Sequence, residues 1–339
     1  MTTPARSFPA IRLQHDRPAP PMVIIPPGPR PRGWRRWVVY QRERFPVFAH
    51  GALIAAFSTG AVCYSAQLRE GLGRLPDPRS VAVAFVSCFL FFLQLRIADE
   101  FKDFEDDARH RPYRPVPRGL VRLRELGILG GLAVAVQVGL ALWLAPPLLL
   151  PLALVLGYMA LMSAEFFARD WLRGRAITVL WTHMLVIPLI DLYATACDWL
   201  AAGDRKGVGA GIAWFLVTSF CNGIVVEIGR KIRVPLDEEP GVDTYSALWG
   251  RTTAVVAWLG AMAATAGAAA LTAREVGTMV PVTALLGAIM LVAVAAGVWL
   301  IRRPRQGRGQ RLELISGVWT LAVYLGIGLL PIALHRLAQ

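Results

Sequence analysis

The sequence is poor in charge. Of its 339 residues 17% are Asp, Glu, Lys or Arg, against 55% hydrophobic. A soluble domain carries about a quarter charged residues, so polarity is too scarce here to cover a water-facing surface. That excludes a soluble enzyme and, equally, a disordered chain. Lysine is rarer still, three residues against 33 arginines. With abundant Ala, Gly and Pro, this looks like high-GC coding bias, which carries no chemistry. Cysteine is limited to Cys63, Cys88, Cys197 and Cys221, none at metal or redox spacing and all in or near apolar runs. A disulfide scaffold is thereby excluded, and packing is the reading of these thiols. Nothing resembles a collagen repeat.

What the sequence has is apolar length. Runs of about twenty apolar residues, separated by short Arg-rich segments, are what a bilayer requires of spanning helices, and the mean hydropathy is +0.48. Nine spans are predicted, at 46–67, 80–98, 125–145, 147–164, 176–196, 208–227, 252–272, 278–301 and 313–334. Spans three and four are joined only by Ala145-Pro146-Pro147, a tight turn between antiparallel helices. The chain is therefore an all-α polytopic membrane protein. Residues 1–36, rich in Pro and Arg and without a long apolar core, read as a disordered cytosolic tail and not a signal peptide, ahead of a membrane domain over 37–339.

The basic residues test this count. With the tail in the cytosol, 29 of the 36 Lys and Arg fall on the cytosolic side and seven, including Arg69, Arg205 and Arg336, on the other. This is a strong positive-inside signature, and shifting the register by one helix destroys it. It predicts an inner-membrane protein with its C-terminus on the opposite side. The net charge of +13 is mostly topology, with some attraction for anionic lipid and anionic substrate. Nucleic acid is a poor partner, because the arginines are spread loop by loop.

Two cytosolic loops also hold dense acid, which topology does not ask for. In the first, Asp99, Asp103 and Asp107 stand at i, i+4, i+8, so a continuing helix projects all three from one face. Like charges at that spacing repel. A multivalent cation between them is the simplest explanation, and hard oxygen ligands favour Mg²⁺, which recruits phosphate oxygens to complete its octahedron. A solvated helix end neutralised by nearby arginines is the alternative. It loses weight because a second cluster, starting at Glu227 and running through Asp237, Glu238, Glu239 and Asp243, leaves span six on the same side. Two acidic faces with guanidinium and ammonium donors beside them form a clamp for a diphosphate and its metals.

At these residues the sequence resembles the UbiA-type membrane prenyltransferase superfamily. That family carries N-D-x-x-D-x-x-x-D followed by R-P-x-R-P-[IV]-P-x-G. Here the run is Asp99-Glu100-x-x-Asp103-x-x-x-Asp107, then Arg111-Pro112-Tyr113-Arg114-Pro115-Val116-Pro117-Arg118-Gly119, with spacing kept throughout. The second family motif is matched loosely by Glu227 and by Asp237-x-x-x-Gly241 followed by Val242-Asp243-Thr244. The departures are Asp99 in place of Asn, Lys102 inside the motif, Glu227 in place of Asp, and an insertion carrying Arg230, Lys231 and Arg233.

The resemblance, over about residues 40–335, implies nine helices around a central cavity. It also implies Mg²⁺-dependent transfer of a prenyl group from an isoprenyl diphosphate to an acceptor, most often an aromatic ring, with membrane lipid around. It assigns Asp99, Asp103, Asp107, Glu227 and Asp237 to the metals, and Lys102, Arg111, Arg114 and Lys231 to the diphosphate. Tyr158, Arg169 and Arg173 lie where the family often binds substrate; an i, i+4 salt-bridge ladder from Glu165 through Arg169 to Arg173 is the plain alternative. His183 and Asp191 share a face of span five, and Asn222 lies one turn before Glu227; cavity lining and helix–helix hydrogen bonding are both open for them. A membrane terpene cyclase or a phosphoribosyl-type transferase fits the same scaffold. An ion-coupled transporter or lipid-binding membrane protein fits less well, since these acids lie at the membrane edge and no internal repeat is evident.

Overall fold

The computed structural model describes residues 33–203 and 210–338. Most of the expected tail therefore lies outside the described residues. Among the described residues every regular element is a helix. The first, α1 (Arg35–Arg44), is too short and polar to register in the apolar pattern, and it takes in the last two residues of that tail.

The spans follow as α2 (Val47–Glu70), α3 (Pro78–Lys102), α5 (Leu123–Leu144), α6 (Leu149–Ser163), α8 (Ala176–Met184) with α9 (Val186–Trp199), α10 (Ala210–Arg230), α12 (Arg251–Glu275), α13 (Met279–Arg302), and α14 (Arg308–Gly328) with α15 (Leu330–Leu337). Three short helices lie in the loops: α4 (Phe104–His110), α7 (Arg169–Leu172) and α11 (Tyr245–Trp249). Eight segments are long and apolar enough to cross a membrane, and α14 with α15 makes a ninth that is bent by 49°. Both interrupted spans carry a proline just past the break. Pro188 has no N–H for the Met184 carbonyl, and Pro331 none for Ile327, so each helix lacks a bond there. The outward faces are apolar, with Leu150, Val280 and Leu291 more than 70% exposed. This is an integral membrane protein, and these faces suit lipid.

The long helices form a closed ring. The neighbours run α2, α3, α5, α6, α9, α10, α12, α13, α14 and back to α2. Closure is made by backbones in contact: a Cβ on Gly328 would lie 2.4 Å from the Gly60 carbonyl oxygen, and one on Gly60 would lie 2.7 Å from that of Tyr324. Small residues permit that approach, as between membrane helices generally.

Polar contacts seal the end of the ring away from the acidic motifs. The Tyr64 hydroxyl lies 3.1 Å from the Gly211 carbonyl and 3.2 Å from that of Thr272. Ser65 and Arg69 both donate to buried Asp198, at 2.8 and 3.0 Å. Deeper in, Tyr324 donates to Asp191 at 2.6 Å. Three of the four cysteines are buried and all four are free thiols, as their apolar setting predicts. With that end packed shut, open space is left to the end where α3 and α10 finish.

Candidate active site

The first motif spans the end of α3 and the start of α4. Asp103 interrupts the helix, but the i to i−4 bonds continue through it. The Asp103 N–H reaches the Asp99 carbonyl at 2.9 Å, Asp107 reaches Asp103 at 2.8 Å, and Arg111 reaches Asp107 at 2.8 Å. The three aspartates therefore keep the shared face that their spacing predicts. Their surroundings differ. Asp99 is partly exposed, 3.4 Å from Arg96. Asp107 is buried and gripped by the loop that follows, with Arg111 at 2.9 Å and Arg114 at 2.5 Å. Asp103 makes no salt bridge among the described residues. Burial above all lifts its carboxyl above the ordinary range; Lys102 and Arg111 oppose the shift, and the Asp99 and Asp107 charges add to it.

The second motif begins at Glu227, 7% exposed, which pairs with Arg230, the last residue of its helix, at 2.5 Å and with Lys231 just past it at 2.8 Å. The loop beyond it is tied internally. Glu238 accepts hydrogen bonds from Thr244 and Ser246, and Thr244 caps α11. Asp237 accepts from the Gly307 N–H at 2.8 Å, just before α14, and does not reach the other acids.

The two loops meet. The Tyr113 hydroxyl lies 3.1 Å from both carboxylate oxygens of Glu239. Gly241 (φ +76°) sits so close to His110 that a Cβ there would come within 2.3 Å of its ring. The ends of α3 and α10 thus converge on one side of the bundle.

Between them and α8 opens a cavity of about 490 Å³. Five cations face it, Lys102, Arg169, Arg173, Arg175 and Lys231, against the carboxylates of Glu165 and Asp243. Ile177, Val179, Leu248 and Trp249 form an apolar part of the wall. An excess of positive charge beside apolar surface suits an amphipathic anion. The aspartates of the first motif are not on this wall; Lys102 is.

The turn after α6 shapes the cavity. Glu165, Phe166 and Phe167 have φ of 48°, 54° and 55°, a left-handed run costing about 1–2 kcal/mol per residue. It directs Glu165 toward Lys102 (3.8 Å) and Arg169 (3.6 Å). The expected ladder therefore stops at Arg169, and Arg173 pairs instead with Asp170 at 3.5 Å. Tyr158 donates to the Thr182 carbonyl at 2.6 Å and so ties α6 to α8. Asn222 is buried and accepts from Thr320 at 3.2 Å, a helix–helix bond. His183 lines the cavity.

A sequence model of the UbiA prenyltransferase family matches residues 61–318. The chain belongs to the UbiA prenyltransferase family. Its fold is that of solved UbiA homologues. The apo homologue from Aeropyrum pernix K1 is 18% identical over 83% of this chain and 98% of its own, with a TM-score of 0.60. The homologue from Archaeoglobus fulgidus, solved with DMAPP and Mg²⁺, is 13% identical over 86% and 99%, with a TM-score of 0.51. A digeranylgeranylglyceryl phosphate synthase structure is 14% identical over 88% and 99%, with a TM-score of 0.57. No curated protein sequence matches.

Within this UbiA fold, several wall residues carry little warning in the sequence. Arg175 reads as one more positive-inside arginine and Trp249 as part of an interfacial belt, yet both line the cavity. Tyr245 closes the second motif and holds the Lys231 ammonium 5.7 Å over its ring. Glu100 occupies a motif position but is buried against Arg44 of α1, away from the cavity.

Proposed function

We propose that this chain is a Mg²⁺-dependent prenyltransferase that moves a prenyl group from an isoprenyl diphosphate to a hydrophobic or aromatic acceptor inside the membrane. The observation that carries this reading is the meeting of two acidic helix ends beside a cation-lined cavity, in a chain of the UbiA family.

The donor set suits Mg²⁺ on these terms. Among the described residues no three His, Cys, Asp or Glu side chains are close enough to hold a metal unaided. Mg²⁺ is commonly held by one or two carboxylates together with substrate phosphates. Asp103, half-buried and without a salt bridge among the described residues, with Asp99 beside it, is the best placed donor of the first motif, and the buried Glu227 of the second. In this structure Asp107 and Glu227 are each held by two cations, which must be shared or released to admit a metal. Asp237 is the least suited, since it is engaged with Gly307. When bound, Mg²⁺ would neutralise the diphosphate as it departs.

The protein's own residues do the rest. Lys102, Arg169 and Lys231 offer donors where negative charge develops, a role that strengthens as the C–O bond breaks. The apolar wall keeps water from the allylic cation. Positive-inside bias puts this face of the bundle, and the N-terminus, in the cytosol.

The test is a product assay with labelled farnesyl or geranylgeranyl diphosphate, with and without quinone-precursor aromatics. Asp103→Asn with Asp107→Asn is expected to abolish diphosphate turnover while membrane insertion stays normal. Near-normal turnover in that double variant refutes the assignment. Product formed equally well without any acceptor marks a cyclase instead.

A further inference from the structure

Transfer to any acceptor releases a proton, and the proposed function leaves its destination unassigned. Among the cavity-lining residues, His183 has the geometry of a proton acceptor. Its Nδ1 lies 2.9 Å from the Val179 carbonyl one turn back. A carbonyl oxygen can only accept, so Nδ1 carries the hydrogen and Nε2 presents a bare lone pair. That Nε2 is buried in this structure and has no hydrogen-bond partner among the described residues. An orphaned buried acceptor is costly and rare enough to need a reason. The ring is held by the Val179 bond and by Phe166, whose ring stands edge-on to it at a centroid distance of 6.4 Å. Phe166 belongs to the left-handed turn, so strained backbone is what brings it there. The charged groups around the imidazole are Lys102 from α3, Glu165 from that turn and Glu227 from α10.

We propose that His183 Nε2 takes the proton that the acceptor loses in the transfer, an inference that rests on the prenyltransferase reading above. The bond from the allylic C1 to the diphosphate oxygen breaks, and its electron pair leaves with diphosphate. A new bond forms from C1 to the acceptor atom, and the hydrogen on that atom passes to Nε2 as a proton. For a ring carbon, the C–H pair restores aromaticity; for a hydroxyl, it remains on oxygen. A neutral imidazole in a water-poor site suits either case, because it starts uncharged and ends as a cation beside the departed diphosphate.

The experiment separates ionisation from proton removal. Prenyl diphosphates of five to twenty carbons, labelled with ¹⁸O in the bridging position, are supplied with Mg²⁺, with 4-hydroxybenzoate as an aromatic probe and water as the fallback acceptor. Migration of label from bridging to non-bridging positions reports C1–O cleavage and return; prenylated product, or prenyl alcohol from water, reports transfer. His183→Asn keeps a donor for Val179 and loses the base. It is expected to scramble label within about threefold of the wild-type rate and to form product about 100-fold more slowly or worse. His183→Ala is expected to behave likewise, with product formation restored by added imidazole. Either variant transferring at the wild-type rate overturns the proposal. So does parallel loss of scrambling and transfer that imidazole does not restore, which marks a structural histidine. A wild-type protein that neither scrambles nor transfers defeats the prenyltransferase reading itself.

Discussion

Glu100 and Asp103 lie three residues apart in one motif, and the structure gives them opposite duties. Glu100 is 2% exposed and pairs with Arg44, whose side chain is only 9% exposed. Solvent screening is therefore slight, and the value of about 1 kcal/mol or less that holds for surface pairs does not apply. Arg44→Met strands a buried carboxylate. The cost expected for one-sided removal of such a pair is roughly 3–5 kcal/mol. The double variant Arg44→Met, Glu100→Met buries an apolar pair of similar volume and is expected to recover most of that loss. The assay is thermal unfolding of purified protein in detergent, run beside diphosphate release. Arg44→Met should melt well below wild type, with the double variant close to wild type. Turnover per folded molecule of Glu100→Gln should stay near normal, unlike that of the Asp103 variant. An Arg44→Met protein within about 1 kcal/mol of wild type, the scale of an exposed pair, refutes the reasoning; so does Glu100→Gln that is stable but inactive.

Metal-free Asp103→Asn should be at least as stable as wild type at neutral pH. A carboxyl raised in the fold binds its proton more tightly there than in the unfolded chain, so stability falls as pH rises from the ordinary value of about 3.9 through the raised one; melts across that acid range should show the slope in wild type and not in the variant. Gly229→Ala places a Cβ 2.1 Å from Ser316 Oγ and strains its 2.9 Å bond from Trp258; a loss of about 1–3 kcal/mol is expected, read by the same melts. Gly241→Val combines an unfavourable φ of +76° with a collision on His110. It should part the two acidic loops and lower diphosphate turnover more than it lowers melting temperature. For sidedness, single cysteines at Arg305 and at Gly71 should react with an impermeant maleimide only from the cytosolic and only from the opposite side, respectively; the reverse result inverts the proposed orientation.

The spans were legible because hydrocarbon imposes a length and a composition, and the first motif because its spacing of four survives even where α3 breaks at Asp103. Less could be seen where a partner comes from far along the chain. Nothing local says that Glu100 is held by Arg44, or that Asp237 is bonded to Gly307 seventy residues on. The turn at Glu165 to Phe167 was hidden for another reason. It contains no Gly, Asn or Pro to announce left-handed backbone, and surrounding packing evidently overrides local preference. The spacing of Glu165, Arg169 and Arg173 looked helical for that reason, and the third member found a different carboxylate.

The contact of Gly60 with Gly328 joins the earliest long helix to the latest, 268 positions apart in the chain. A ribosome delivering this chain has therefore to supply nearly all of it before the barrel of helices can shut. Until then the flank of α2 around Gly60 lies bare to whatever hydrocarbon or neighbouring polypeptide is at hand. Nascent chains stalled short of residue 328 should accordingly be handled by membrane quality control as open sheets of helices, however well each stave has inserted.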